Sequence, residues 1–89
     1  MLNILRKKQF DRDVKLAKKR HKDMKKLKNV LTHLVRQNPL PSRYKCHRLR
    51  GEFFGCWECH IEPDWLLIYF IKGDDLVLIR TGTHADLLK

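Results

Sequence analysis

The chain has 89 residues, of which 43% are apolar and 34% charged, and a formal net charge of +10. That length suits one domain, 1–89, near the lower limit at which a single hydrophobic core suffices. No apolar run reaches the roughly 18 residues of a spanning helix, and the start, Met1-Leu2-Asn3-Ile4-Leu5-Arg6, is too briefly apolar for a secretory signal. The expectation is a soluble, cytoplasmic protein with no membrane partner. Residues 1–28 carry twelve Lys/Arg against three Asp, and the remainder is near balance. Such a field attracts a phosphate backbone without choosing a sequence.

Leu2 to Leu5 reads as a short first strand. From Lys8 to His21 the apolar residues Phe10, Val14 and Ala17 fall at helical spacing, with Leu16 beside them. A second helix follows, N-capped by Asp23, with Met24, Leu27, Val30, Leu31, Leu34 and Val35 as its apolar stripe. Asn38-Pro39-Leu40-Pro41-Ser42 ends it, because proline cannot continue a helix. Then the period changes. Phe53 to Ile61 reads as a strand, Glu62-Pro63-Asp64 as a turn, and Trp65 to Ile71 as a central strand covered on both faces. Lys72-Gly73-Asp74-Asp75 makes a hairpin turn, Leu76 to Thr81 returns, and Gly82 to Lys89 is a loop or short helix. The order β-α-α-β-β-β predicts an α+β fold, two N-terminal helices packed on a small antiparallel sheet.

In that meander, residues flanking one turn share an end of the sheet. His60 closes one strand and Asp64 opens the next. Pairing Ile71 with Leu76 sets Leu67 near Arg80 and Asp64 near Thr83, so His84 leaves at the same end. His47 precedes the strand and geometry does not place it. Histidine titrates near neutrality and can serve either proton transfer of RNA transesterification, while an arginine stabilises the growing negative charge. A requirement for the 2′-hydroxyl would select RNA over DNA. His21 and His33, on the helices, read as surface residues.

Cys56-Trp57-Glu58-Cys59-His60 matches the pattern of c-type haem attachment, and Cys46-His47 could complete a zinc site. Haem attachment needs export. Cysteines three apart on a strand face opposite ways, and zinc would compete for His60. Three reduced, partly buried cysteines and no metal or other cofactor are expected.

Asp13-Val14-Lys15-Leu16-Ala17-Lys18-Lys19-Arg20-His21-Lys22-Asp23-Met24, His47-Arg48-Leu49-Arg50-Gly51, His60 to Tyr69, and Arg80-Thr81-Gly82-Thr83-His84 occur in an order and spacing that resemble the YafQ branch of the RelE-type bacterial toxins. The resemblance covers essentially the whole chain. It implies a cytosolic, metal-independent endoribonuclease that cuts mRNA in the ribosomal A site, leaves a 2′,3′-cyclic phosphate and stops translation. It also implies neutralisation by a RelB/DinJ-type antitoxin, whose complex with the toxin represses its own operon, so that operator DNA is met only through that complex. Carried over by position, the catalytic residues are His47, His60, Asp64 and His84. Trp65, Arg80, Arg50, Lys15, Lys18 and Lys19 serve as RNA contacts or transition-state support. His60 with Asp64 stands as the base side and His84 as the acid side. Two departures from the family pattern are Trp57, where an arginine is usual, and Leu88, where a phenylalanine that could stack on a base is common. A catalytically inactive RNA-binding or repressor subunit on the same fold remains the alternative.

Overall fold

The computed structural model describes residues 1–87, so Leu88 lies outside the described residues. A first strand β1 (Asn3–Arg6) leads into helix α1 (Lys8–Lys19) and helix α2 (Met24–Val35). Then come β2 (His47–Arg48), β3 (Trp57–Glu62), β4 (Trp65–Lys72), β5 (Asp75–Gly82) and a terminal turn of helix, α3 (His84–Leu87). The α+β class and the two N-terminal helices are as expected. Asp23 caps α2, its carboxylate accepting the Lys25 N–H at 2.9 Å.

Three details differ from the sequence expectation. The sheet is mixed: in the order β1-β5-β4-β3-β2, β1 runs parallel to β5 and the other pairs are antiparallel. β1 points this way because α1 carries the chain onward alongside β5. Lys7 N–H donates to the Leu78 carbonyl where β1 ends, and the Asp13 carboxylate accepts the Thr81 N–H. Secondly, β3 starts at Trp57 and not Phe53. Gly51–Phe53 is a 3-10 turn and Gly55 has φ +90°, a left-handed value that breaks any strand. Thirdly, a two-residue strand, β2, precedes it at the sheet edge.

A bulge corrects the register of the last hairpin. Ile71 pairs with Leu76 as expected, but Tyr69 faces Leu78 and Ile68 faces Arg80, leaving Ile79 as the extra residue. Leu67 therefore meets Thr81 in place of Arg80. The shift moves His84 one step closer to the start of β4.

Two apolar clusters cover the sheet. Phe10, Ala17, Leu27, Val30 and Leu34 from the helices pack with Cys59, Trp65, Leu67, Tyr69, Leu76 and Leu78. On the opposite face Leu66, Ile68 and Leu87 are buried, with Leu49, Phe53, Cys56 and Ile79 packed against them. β4 is thus covered on both sides, which accounts for its unbroken apolar run. No described helix is long and apolar enough to cross a membrane.

The helix layer is fastened to β5 by one buried acid. Asp13, 7% exposed, accepts from Arg80 Nε at 2.7 Å and Nη2 at 3.1 Å, and from the Thr81 N–H at 3.1 Å. Asp13→Ala leaves the guanidinium and a buried N–H without their acceptor, and its expected cost is about 3 kcal/mol. Urea unfolding of the variant beside the parent chain checks this through the shift in midpoint.

Candidate active site

Strand alternation assembles the site. On β3, Trp57 and Cys59 face the helices, while Glu58 and His60 share the other face and pair with Ile68 and Leu66 of β4. His47 on β2 stands directly opposite Glu58. From the far side, α3 brings His84 over the same surface. The three imidazoles form a row with His60 in the middle, its ring centroid 6.1 Å from that of His47 and 5.8 Å from that of His84.

Each end of the row has its own carboxylate. Asp64 Oδ1 lies 2.6 Å from His84 Nδ1 and accepts the His84 backbone N–H at 2.9 Å. Those two hydrogen bonds, the backbone one foremost, hold the Asp64 carboxyl below the usual range. A carboxylate at Nδ1 fixes the proton there and leaves Nε2 of His84 for a substrate. At the other end Glu58, 3% exposed, lies 3.0 Å from His47 Nε2 and 3.9 Å from His60 Nε2. Glu58 Oε2 and His60 Nδ1 are buried without a hydrogen-bond partner among the described residues. The expected pairing of His60 with Asp64 is therefore corrected: Asp64 serves His84, because the bulge in β5 brings His84 beside it. Glu58, part of the apparent cysteine motif in the sequence, was missed. Its signal was position, since it lies two residues before His60 and so on the same strand face.

The approach of His84 depends on the turn before it. Thr83 Oγ1 accepts the Asp86 N–H at 3.1 Å, and Asp86 Oδ2 accepts the Thr83 N–H at 3.0 Å, a reciprocal cap at the start of α3. Arg20 on α1 holds the same carboxylate, Nη1 to Oδ2 at 2.6 Å. This ion pair, with the Thr83 N–H behind it, pushes the Asp86 carboxyl well below the ordinary carboxylate range. Gly82 fits under Asp86, where a Cβ would come within 2.9 Å of Oδ2 and 3.1 Å of Cβ.

The supporting residues divide. Arg80 is tied to Asp13 and half-buried. Trp65 is 1% exposed, its indole N–H donating to Thr81 Oγ1 at 2.9 Å, so it props the site from below and cannot touch RNA. Lys15 and Lys18 line a groove with Ile4, Phe10 and Leu31, between α1, β1 and α2, while Lys19 and Arg50 are exposed. The cations gathered beside His60 are others. A groove of about 520 Å³ runs from His60 between α2 and the 3-10 turn Ser42–Tyr44, lined by Lys25, Lys26, Arg43, Tyr44 and Lys45. Lys22 and Lys26 neutralise Glu62 at its rim, at 3.4 and 2.8 Å. Trp57 packs toward the helix-side core and carries the Arg48 guanidinium 5.1 Å above its ring. His21 is exposed and His33 Nδ1 lies 2.9 Å from the Asn29 carbonyl on its own helix, both apart from the site.

Cys56 and Cys59 lie on opposite faces, in different apolar clusters, as strand alternation requires. Burial pushes the Cys56 thiol up. Among the described residues one group has metal-ligand geometry: the donor atoms of His47, Glu58 and His60 lie within 4.8 Å of one another. Two imidazoles and a carboxylate suit a borderline divalent ion such as Zn²⁺ or Cu²⁺, and the orphaned Glu58 oxygen offers a further lone pair.

Asp86 sets a pH prediction. Its carboxyl is depressed in the folded chain against about 3.9 unfolded, so its stabilisation is complete above that pH and is lost as pH falls toward the folded value. Asp86→Asn should melt lower at pH 7 and lose less stability than the parent between about pH 4 and pH 2. Gly82→Ala should cost about 1–3 kcal/mol through the clash with Asp86. Thermal melts across that pH range, with the parent chain alongside, check both.

The chain is similar to known proteins over nearly its whole length. Residues 2–89 match the family described as the bacterial toxin of type II toxin–antitoxin system, YafQ. The mRNA interferase toxin YafQ of Escherichia coli K12 is 52% identical over 80 residues, covering 89% of this chain and 87% of that protein. The toxin in the crystal structure of the E. coli DinJ–YafQ complex superposes with a TM-score of 0.91 at 48% identity, over 100% of both chains. A metal-bound toxin from Helicobacter pylori superposes at 0.92 with 41% identity, over 99% of this chain and 100% of that one. The chain therefore belongs to the YafQ family of bacterial toxins of type II toxin–antitoxin systems.

Proposed function

We propose that this chain, as one domain, is an mRNA endoribonuclease toxin that cleaves by metal-independent acid–base transesterification. The observation that carries the reading is the row of three imidazoles within 6.1 Å of their neighbours, with a carboxylate at each end. Cleavage needs a base to take the 2′-hydroxyl proton as that oxygen attacks phosphorus. It also needs an acid to protonate the 5′-oxygen as the P–O bond breaks. The products are a 2′,3′-cyclic phosphate and a 5′-hydroxyl.

We assign the base to His60, in the middle of the row and held only at 3.9 Å from Glu58. The acid is His84, whose Nδ1 is fixed by Asp64 so that Nε2 faces the leaving oxygen. His47, on Glu58, contacts the non-bridging oxygens. The groove lined by Lys25, Lys26, Arg43 and Lys45 seats the strand beside the cut. Lys15, Lys18, Lys19 and Arg50 supply the wider field toward ribosomal RNA, and Arg80 stiffens β5 beneath the acid. The target is mRNA in the ribosomal A site in the cytoplasm. An acidic DinJ-type antitoxin covers the basic surface, and the pair binds operator DNA. The crystal structure of E. coli YafQ in complex with DinJ supports that partner.

Primer extension on mRNA in a translating extract, with and without ribosomes, tests this. His60→Ala and His84→Ala should each lower the cleavage rate by roughly 10²–10⁴ without shifting the melting temperature. A 2′-deoxynucleotide at the cut should block it. Cleavage undiminished in both variants would overturn the assignment.

The trio His47, Glu58 and His60 favours one addition to this reading. A divalent ion there would occupy the base and its neighbour, so EDTA should leave cleavage unchanged and micromolar Zn²⁺ should inhibit it. Loss of cleavage in EDTA, restored by metal, would instead make the ion part of the reaction.

A further inference from the structure

The sequence singles out Cys56 and Cys59, but the structure joins Cys59 to another thiol. His47 pairs with Glu58 and Arg48 with Trp57, so continuing the register by one residue sets Cys46 opposite Cys59. The Leu49 N–H donates to the Cys56 carbonyl at 2.9 Å. Because antiparallel pairs alternate, Cys46 and Cys59 then form a non-hydrogen-bonded pair, the type with the shortest Cα separation, about 4.5 Å. That is inside the range a disulfide spans. On the same face of the ladder, Cys46 Sγ lies 3.1 Å from the Tyr69 hydroxyl.

From this cross-strand placement we infer that Cys46 and Cys59 are a redox modification site, closing a disulfide that fastens β2 to β3. Cys46 is the entry point. It is exposed, whereas Cys59 is buried. With Tyr69, Leu34 and Leu40, Cys46 lines a cavity of about 300 Å³ that admits a small peroxide. The Cys46 thiolate attacks the peroxide O–O bond, forming an S–O bond and releasing hydroxide, which is protonated to water. The Cys59 sulfur then attacks the Cys46 sulfenic sulfur. An S–S bond forms, the S–O bond breaks, and the oxygen leaves as water with the proton from Cys59. Overall two thiols are oxidised and one hydroperoxide is reduced. In a reducing cytosol such a bond is transient.

The closed segment, residues 47–58, contains His47 and Glu58. β2 is only two residues long at an open sheet edge. The thiols face the helices and the imidazoles face away, so the bond forms without entering the row of histidines. It holds His47 against β3 more firmly.

The test uses the full chain treated with hydrogen peroxide under a low, stoichiometric dose. Intact mass should fall by about 2 Da, and peptide mapping should join Cys46 to Cys59. Cys56→Ser should still form the bond and Cys46→Ser, a change at an exposed position, should not. Deuterium uptake in residues 47–55 should slow by on the order of tenfold on oxidation and recover with dithiothreitol. A bond mapped to Cys56, a disulfide only between two chains, sulfinic acid at Cys46 with no crosslink, or unchanged uptake in the crosslinked chain would each overturn the proposal. None of these readouts involves RNA, so the result is independent of the nuclease assignment.

Discussion

A single carboxylate decides where the end of the sheet lies. β1 stops pairing at Leu78, and beyond that point the edge of β5 turned away from β4 has no described strand beside it. Asp13 takes over there, accepting the Thr81 N–H as a partner strand would and drawing Arg80 onto the same two oxygens. An unpartnered N–H at the 2% exposed Thr81 would cost a large part of a small domain's stability. Everything that places His84 follows from this segment of β5: the bulge at Ile79, the close approach at Gly82, and the cap between Thr83 and Asp86. Arg20 adds a second tie between α1 and the same turn through Asp86. The helix that carries much of the positive charge is thus also the one that positions one end of the histidine row.

That double use explains why charge count and charge placement carry different information. Lys15, Lys18 and Lys19 are turned to solvent or toward the groove beside β1. At physiological ionic strength an exposed charge is felt over only about 8 Å. In the proposed function their contribution is to encounter with a polyanion. Local grip is there assigned to Lys25, Lys26, Arg43 and Lys45, which line a groove with His60. Lys22 and Lys26 also cancel Glu62, the acid nearest that groove, and they lower its carboxyl in doing so. Without that cancellation an uncompensated negative charge would stand at the rim of the groove.

What the sequence discloses here depends on period and length. The α2 stripe, the Asp23 cap, the doubly covered β4 and the return of β5 each extend over enough residues for a period to show. The gathering of His60, Asp64 and His84 at one sheet end followed from turn positions alone. β2 did not show, because two residues between a left-handed Lys45 and a 3-10 turn have no alternation to read. The bulge did not show either, since Val77-Leu78-Ile79 is apolar throughout and an inserted residue leaves no mark on it. The parallel entry of β1 depends on a long-range contact between Asp13 and β5. Glu58 was hidden by its neighbours, because a cysteine pattern read as a motif diverts attention from the strand face that Glu58 shares with His60. Trp65 was legible as part of a doubly covered strand, and its burial excludes the RNA contact that the family resemblance implied for it.

The strand pair β2–β3 carries two separate side-chain clusters, one on each face. Alternation sends His47, Glu58 and His60 to the face away from the helices and Cys46 and Cys59 to the face toward them. On the helix side Cys46 Sγ lies 3.1 Å from the Tyr69 hydroxyl. The neighbouring Cys59 sulfur and that hydroxyl lower the Cys46 thiol, while the neighbouring Cys46 sulfur and burial push Cys59 up. On the other side, a buried carboxylate with one free oxygen holds His47 at the mouth of the row. Had β2 slipped by one residue against β3, Cys46 and His47 would have exchanged faces while Glu58, Cys59 and His60 stayed, and neither cluster would exist. The register is held by the Leu49–Cys56 backbone bond and by Leu49 and Cys56 packing on the second core. Cys56, the thiol with no partner sulfur, therefore contributes through its backbone and its packing.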